Sequence, residues 1–367
     1  MLKLLYVSST LRSSGPVSQL LGLIRNLDRD AFEPYLVTLS PEPERSRWED
    51  FASEGVRLHS LGLSRLGGAL FARRRLRGLL EAIGPDLVHS HGLRPDAIVS
   101  RLSPGVPWFL TAHNYPLQDF PMRFGRVRGM LMARCHLSVM RKCRNVIACS
   151  RTVARLLEES GIEATPVQNG VDACVGDPAG APGVADLERP VFVSVGNLIP
   201  RKNTCFLVGA FESYAKRGSG SLLVLGDGPL MTALRSRGSS RVRLEGNVGN
   251  VPDYLAASDC FVSASLSEGL PVAALESLAA GLPLLLSDIP SHREISDDCG
   301  EACRLFPLEG GEQALAEALQ AAAGEGWLGE PRRAEALRVS EQVFSASVMS
   351  ARYQEAYMRA VEGGRAG

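Results

Sequence analysis

The chain has 367 residues, 45% of them hydrophobic, with 40 Lys+Arg balanced by 40 Asp+Glu. That length exceeds one ordinary core and predicts two domains, while zero net charge argues against nucleic acid as the main partner. The balance is uneven: residues 1–180 hold 23 basic and 17 acidic side chains and the remainder 17 and 23, so a basic half precedes an acidic one.

Short apolar runs alternate with helical periods along nearly the whole chain. "LKLLYVS" (2–8) precedes a helix over Gln19 to Leu27, then come "PYLVTLS" (34–40) and "VRLHSLGL" (56–63). An arginine-studded helix, "FARRRLRGLL" (71–80), leads to "DLVHSH" (86–91), "WFLTAH" (108–113) and "NVIACS" (145–150). A parallel sheet covered by helices on both faces follows from this alternation. "GDPAGAPGVADLERP" (176–190) has no periodicity and reads as a linker. The alternation restarts at 191–196, 221–226, 241–246, 260–265, 282–288 and 303–307, and the last segment, 344–362, is one amphipathic helix. The division expected is therefore an N-terminal domain 1–175, a linker 176–190, a C-terminal domain 191–343 and a terminal helix 344–367, with two doubly wound α/β domains in tandem.

The N-terminal "MLKLLYVSST" is too short an apolar run for a signal peptide, and no stretch approaches a membrane span. Eight cysteines show no metal-ligand spacing, which predicts reduced structural thiols in a cytosolic protein. His89 and His91 in "DLVHSHG" lack nearby Cys or further His and read as pocket or structural histidines rather than metal ligands.

Chemistry concentrates in the second half. "SLSEGLPVAALESLAAGLPLLLSD" (265–288) sets Glu268 and Glu276 in an otherwise apolar stretch, where an unpaired buried carboxylate is costly. Glu268 falls after a strand, and Pro271 suits the first turn of the next helix, so the Gly269 and Leu270 amides form an anion site. Read alone, Glu268 is equally a capping carboxylate and Glu276 an exposed helical residue. "VGNLIPRKN" (195–203) adds Arg201 and Lys202 after another strand, a pair suited to a diphosphate. "LGDGP" (225–229) and "LEGNVGN" (244–250) are further strand-end glycine turns, where missing side chains let a ligand approach the backbone.

These motifs, with "NGVD" (169–172) and, more loosely, "SSGPVSQLLGLIRNL", "DLVHSHG", "TAHN" and "ACS", resemble the retaining GT-B glycosyltransferases of family 4 (glycosyl transferases group 1) over nearly the entire chain. The resemblance implies GT-B architecture, two doubly wound Rossmann-like domains facing a central cleft, with the terminal helix crossing back to the N-terminal domain. It implies that Glu276 holds the ribose hydroxyls and that Glu268 lies near the donor sugar hydroxyls beside the Gly269 and Leu270 amides. Lys202, with Arg201, neutralises the departing diphosphate. His113 stands against the transferred sugar, the Gly15 loop closes over the phosphates, and backbone around Val248 flanks the base. Glu268, His113 and Lys202 are thereby the expected catalytic residues. Members often carry Arg where this chain has Asn197, and Gly-Gly where Pro16, which lacks an N–H, follows Gly15.

The activity implied is retaining transfer of a sugar from a UDP- or GDP-sugar to a glycan or lipid-linked glycan by front-side attack, with no metal or other cofactor. The basic helices 71–80 and 123–144 are either solvated faces or an amphipathic surface touching anionic lipid, which would place a cytoplasmic protein at the inner face of the cell membrane. A nucleotide-sugar epimerase of the same fold and a non-catalytic nucleotide-sugar-binding protein are the alternatives. A nicotinamide dehydrogenase is disfavoured, because no GxGxxG follows the first strand.

Overall fold

The computed structural model describes residues 1–237, 239–324 and 326–365. The chain forms two compact units, one built from residues 1–170 together with the C-terminal helix, the other spanning Val171–Ser345.

The first unit is a seven-stranded sheet of β1 (Leu2–Ser8), β2 (Phe32–Thr38), β3 (Arg57–Ser60), β4 (Leu87–His91), β5 (Trp108–Ala112), β6 (Asn145–Ala148) and β7 (Thr165–Pro166), ordered β3-β2-β1-β4-β5-β6-β7 with every pairing parallel. Successive side chains on a strand point to opposite faces, so the continuous apolar run of β1 feeds two cores. Leu4 and Tyr6 pack with Leu20 and Ile24 of the helix Gly15–Arg25, whereas Leu5 and Val7 pack with Leu76, Ile98 and Val99. The helix Ala346–Arg365 closes the first of these cores with Met349, Tyr353 and Tyr357. Its polar atoms are matched too, since Ser350 Oγ donates to the Leu23 carbonyl at 2.9 Å and Gln19 Nε2 to the Tyr353 hydroxyl at 3.2 Å.

The second unit repeats the plan with β8 (Val191–Val195), β9 (Ser221–Leu225), β10 (Val242–Gly246), β11 (Cys260–Ser263), β12 (Leu284–Ser287) and β13 (Cys303–Phe306), ordered β10-β9-β8-β11-β12-β13, again all parallel. Phe192, Leu222, Val224 and Val262 meet Leu207, Phe211, Leu315 and Leu319 in its core. In both sheets the strand order reverses between two adjacent strands, β1 and β4 in one and β8 and β11 in the other. Such switch points leave a crevice beyond the carboxyl ends of the strands.

The division of the chain differs from the expected one in three places, the first being that residues 171–175, expected in the N-terminal domain, belong to the second unit. The segment 176–190 is part of the second unit. Ala181 and Val184 are buried, the Asp177 amide donates to Asp253 Oδ1 at 2.9 Å, and Asn250 Nδ2 donates to the Gly180 carbonyl at 2.6 Å. Phe344 belongs to the second unit as well and precedes the terminal helix; its carbonyl accepts from the Val171 amide at 2.8 Å, beside a parallel bridge between Val171 and Ser345. Among the described residues no helix is long and apolar enough to cross a membrane.

Candidate functional site

In the second unit the loops after β8 and β11 flank the switch point, and they carry Arg201, Lys202 and Glu268. The Arg201 guanidinium donates through Nη1 to Glu268 Oε2 and to the Ser267 carbonyl, each at 2.5 Å. Lys202 Nζ lies 2.7 Å from Glu268 Oε1, off the hydrogen-bonding direction, so that contact is charge against charge. The Leu266 amide also donates to the Arg201 carbonyl at 2.9 Å, which ties the two loops together through backbone. The Glu268 side chain is 5% exposed and those of Arg201 and Lys202 14% and 19%. Burial pushes the carboxyl up, but the Lys202 and Arg201 charges, with the Arg201 hydrogen bond, outweigh it and hold Glu268 at about 2. At neutral pH Glu268 is a fixed anion.

Beside this cluster Ser194, Gly196, Lys202, Thr204, Ser263 and Ser265 line a small recess. Gly269 and Leu270 are buried immediately after Glu268, and Glu276 is half-buried on the helix Val272–Ala279 that follows. Val248 is half-buried in the loop after β10, and Asn197 is exposed after β8. Eight of the ten expected residues thus lie beyond the strands of a single sheet. Arg201 is committed to Glu268 and Ser267, which makes it the brace of the loop and leaves Lys202 as the more exposed of the two cations.

The glycine turns have a purpose the sequence did not show. A Cβ on Gly226 would lie 1.9 Å from the Gly196 carbonyl oxygen, and one on Gly228 2.5 Å from that of Leu198. The Leu198 amide donates to the Asp227 carbonyl at 3.0 Å. Close packing of one strand-end turn on the next therefore requires these glycines before any ligand does.

Two further groups went unread in the sequence. His292 is fully buried in the helix after β12, with Nδ1 2.8 Å from the Ser287 carbonyl and Nε2 without a partner. A carbonyl only accepts, so Nδ1 carries the proton. Burial lowers the imidazole to about 4, with the Glu268 charge raising it and that of Lys202 lowering it. Its position after a strand end was the available signal. Cys174 lies near Glu276; burial, and then the Glu276 charge, push its thiol up to about 11.

The first unit holds the other two, Gly15 and His113. Gly15 opens the helix Gly15–Arg25, preceded by Ser14, whose side chain makes no capping bond, and followed by Pro16. His113 follows β5 and is half-buried; its Nε2 lies 3.2 Å from Nδ1 of His91, the last residue of β4. His89 is structural, with Nδ1 2.6 Å from the Tyr357 hydroxyl and Nε2 2.9 Å from Thr111 Oγ1. Burial lowers His89 to about 3, His113 to about 4 and His91 well below its ordinary range, so all three are neutral near pH 7. Among the described residues no group of three or more His, Cys, Asp or Glu could hold a metal ion.

Comparisons with known proteins agree with this architecture. Residues 13–173 match the family model for Glycosyltransferase Family 4, and residues 189–324 that for Glycosyl transferases group 1. The UDP-Gal:alpha-D-GlcNAc-diphosphoundecaprenol alpha-1,3-galactosyltransferase of Escherichia coli is 28% identical over 236 residues, which cover 58% of this chain and 60% of that protein. The sucrose-phosphate synthase structure from Thermosynechococcus elongatus superposes with a TM-score of 0.84 at 16% identity, covering 99% of this chain and 100% of that one. Anabaena HepE in complex with UDP-glucose does so with a TM-score of 0.81 at 16% identity, covering 98% and 100%. With a family model on each half and a GT-B fold throughout, the chain belongs to the family 4, or group 1, glycosyltransferases.

Proposed function

We propose that the protein transfers a sugar from a UDP- or GDP-sugar to a hydroxyl of a glycan or lipid-linked glycan, with retention at the anomeric carbon and without a metal. The observation that carries this reading is the Lys202–Glu268–Arg201 cluster at the switch point of the second sheet, with Glu276 on the helix Val272–Ala279 that follows directly. In the reaction the bond from the anomeric carbon to the diphosphate breaks and a bond to the acceptor oxygen forms on the same face. The acceptor proton passes to the leaving phosphate. Lys202 stabilises the charge that grows on the diphosphate. Glu268, ionised down to about pH 2, orients sugar hydroxyls and faces the positive charge developing on the ring, and it carries no proton. Gly269 and Leu270 supply amides, Asn197 and the turn around Val248 border the nucleotide, and Gly15 and His113 act from the first unit. The Escherichia coli relative, whose name specifies a UDP-sugar and a diphosphoundecaprenol-linked acceptor, supports both substrate classes.

A thermal-shift screen against UDP-, GDP-, ADP- and dTDP-sugars, followed by product analysis with and without acceptor, tests the proposal. Stabilisation by none of them would sink it; turnover of donor to an isomeric nucleotide sugar without acceptor would make the protein an epimerase. Glu276→Ala is expected to weaken nucleotide binding by about 1–3 kcal/mol and leave the melting temperature unchanged, since an ionised carboxylate is lost from the ribose. Calorimetry giving equal affinities for variant and parent removes Glu276 from that role.

Peripheral contact with anionic lipid is part of the proposal. Leu70 and Phe71 are 75% and 52% exposed next to Arg73, Arg74, Arg75 and Arg77, and Val127 and Leu131 are 77% and 61% exposed next to Arg126 and Arg128. Exposed apolar side chains among arginines are the pattern an interfacial helix presents to anionic lipid. Sedimentation with phosphatidylglycerol vesicles at low salt, release by salt, and loss of binding in Val127→Ser/Leu131→Ser are the expected results. A protein that stays in the supernatant with such vesicles at low salt has no lipid-binding face.

A further inference from the structure

At the switch point of the first sheet, His89, His91 and His113 stand in a row, with ring centroids 4.3 Å apart for the first pair and 5.4 Å for the second. His89 has both nitrogens engaged, by Tyr357 and Thr111. His91 has one, because Nδ1 meets His113 Nε2 at 3.2 Å while its own Nε2 is buried without a partner. Each neutral ring carries one N–H and one lone pair, so an N–H···N bond between them admits two arrangements. If His113 Nε2–H donates, His91 keeps its proton on Nε2, a buried N–H with no acceptor. If His91 Nδ1–H donates, what remains buried is only a lone pair. Orphaned buried donors are the rarer case and leave the full desolvation penalty unmet. The second arrangement therefore prevails, and it moves the His113 proton to Nδ1.

We propose that His91 is a positioning residue that fixes His113 as the Nδ1–H tautomer, so that His113 meets the transferred sugar as a hydrogen-bond donor to an oxygen and never as an acceptor. The contact with sugar rests on the functional reading above; the tautomer rests on the geometry of the two rings alone. Selectivity follows, because a fixed donor binds any sugar that places an oxygen at that point and loses the bond with the corresponding deoxy sugar.

Long-range proton–nitrogen NMR of the full chain labelled with 15N-histidine, assigned with His113→Gln, reads the tautomer directly. The expected spectrum shows His113 protonated at Nδ1 in the parent and in His91→Asn, whose amide nitrogen stands where Nδ1 stood. In His91→Leu the two tautomers mix. Transfer is expected to fall about tenfold in kcat for His91→Leu, the worth of one hydrogen bond, with KM for the donor little changed and activity restored by His91→Asn. A parent spectrum with His113 protonated at Nε2 overturns the proposal. An Nδ1–H spectrum together with full transfer activity in His91→Leu and His113→Gln overturns the contact between His113 and the sugar while the tautomer assignment stands.

Discussion

Replacing Lys202 by alanine should lower kcat by about 10²–10³-fold with a smaller change in KM for the donor, the size seen when one preorganised donor to a developing anion is removed. The diphosphate is more negative as it leaves than while it is esterified, and only interactions that strengthen in the transition state accelerate the step. The carboxylate partner survives the change, since Arg201 still holds Glu268 Oε2 and the Ser267 carbonyl. Arg201→Ala should behave differently. It releases the loop after β11 on one side and leaves Glu268 to Lys202 alone, so KM and kcat move together and the protein loses stability. Steady-state kinetics on both variants, with nucleotide release as the readout, separates the roles. Lys202→Ala with kcat intact and KM raised would reduce that cation to an anchor.

Acid should destabilise the protein well before its carboxylates titrate. His89, His91, His113 and His292 all have folded-state values depressed by burial. The unfolded chain takes up protons at these sites below about pH 6.5 while the folded chain does not. Stability is therefore complete above that pH and declines below it, by about 1.4 kcal/mol per histidine and pH unit. Between pH 7.5 and 5.5 the four together remove about 5 kcal/mol, a large share of the stability of a typical domain. Glu268 acts in the same direction but lower. Its folded value of about 2 lies beneath the unfolded one, so its contribution is lost only as pH falls from about 4.5 toward 2. Urea denaturation at the two pH values, with proton uptake measured on unfolding, checks the sign. Equal midpoints at pH 7.5 and 5.5 would mean that these rings are protonated or hydrated in the folded protein.

The strands were legible because buried parallel strands are continuous apolar runs bounded by turns, and "LKLLYVS" and "LPLLLSD" need no context to be read so. β7 was not, because Thr165–Pro166 is two residues long and its proline cannot donate to a ladder. The segment 176–190 misled for a different reason. It attaches through two buried apolar residues and hydrogen bonds to Asp253 and Asn250, and none of this imposes a period. At the site, strand-end position located Lys202 and Glu268, since a loop after a parallel strand faces the crevice whatever else it does. Which cation braces the loop through hydrogen bonds and which meets Glu268 by charge alone depends on local geometry, and residue types do not encode it. The glycines of "LGDGP" show the converse: a pattern read as room for a ligand is first room for the neighbouring backbone.

The helix Ala346–Arg365 fixes an order of events during synthesis. The sheet that begins at Leu2 emerges first, yet one face of its core stays open until Met349, Tyr353 and Tyr357 have left the ribosome. Val171–Ser345 is complete before that moment and can fold while its predecessor is still waiting. At about 5–20 residues per second this helix arrives many seconds after the sheet it covers. A nascent chain of this protein is therefore expected to expose the apolar face around Leu20, Ile24 and Phe109 while Val171–Ser345 is being made, which makes it a client for holding chaperones until the helix Ala346–Arg365 docks.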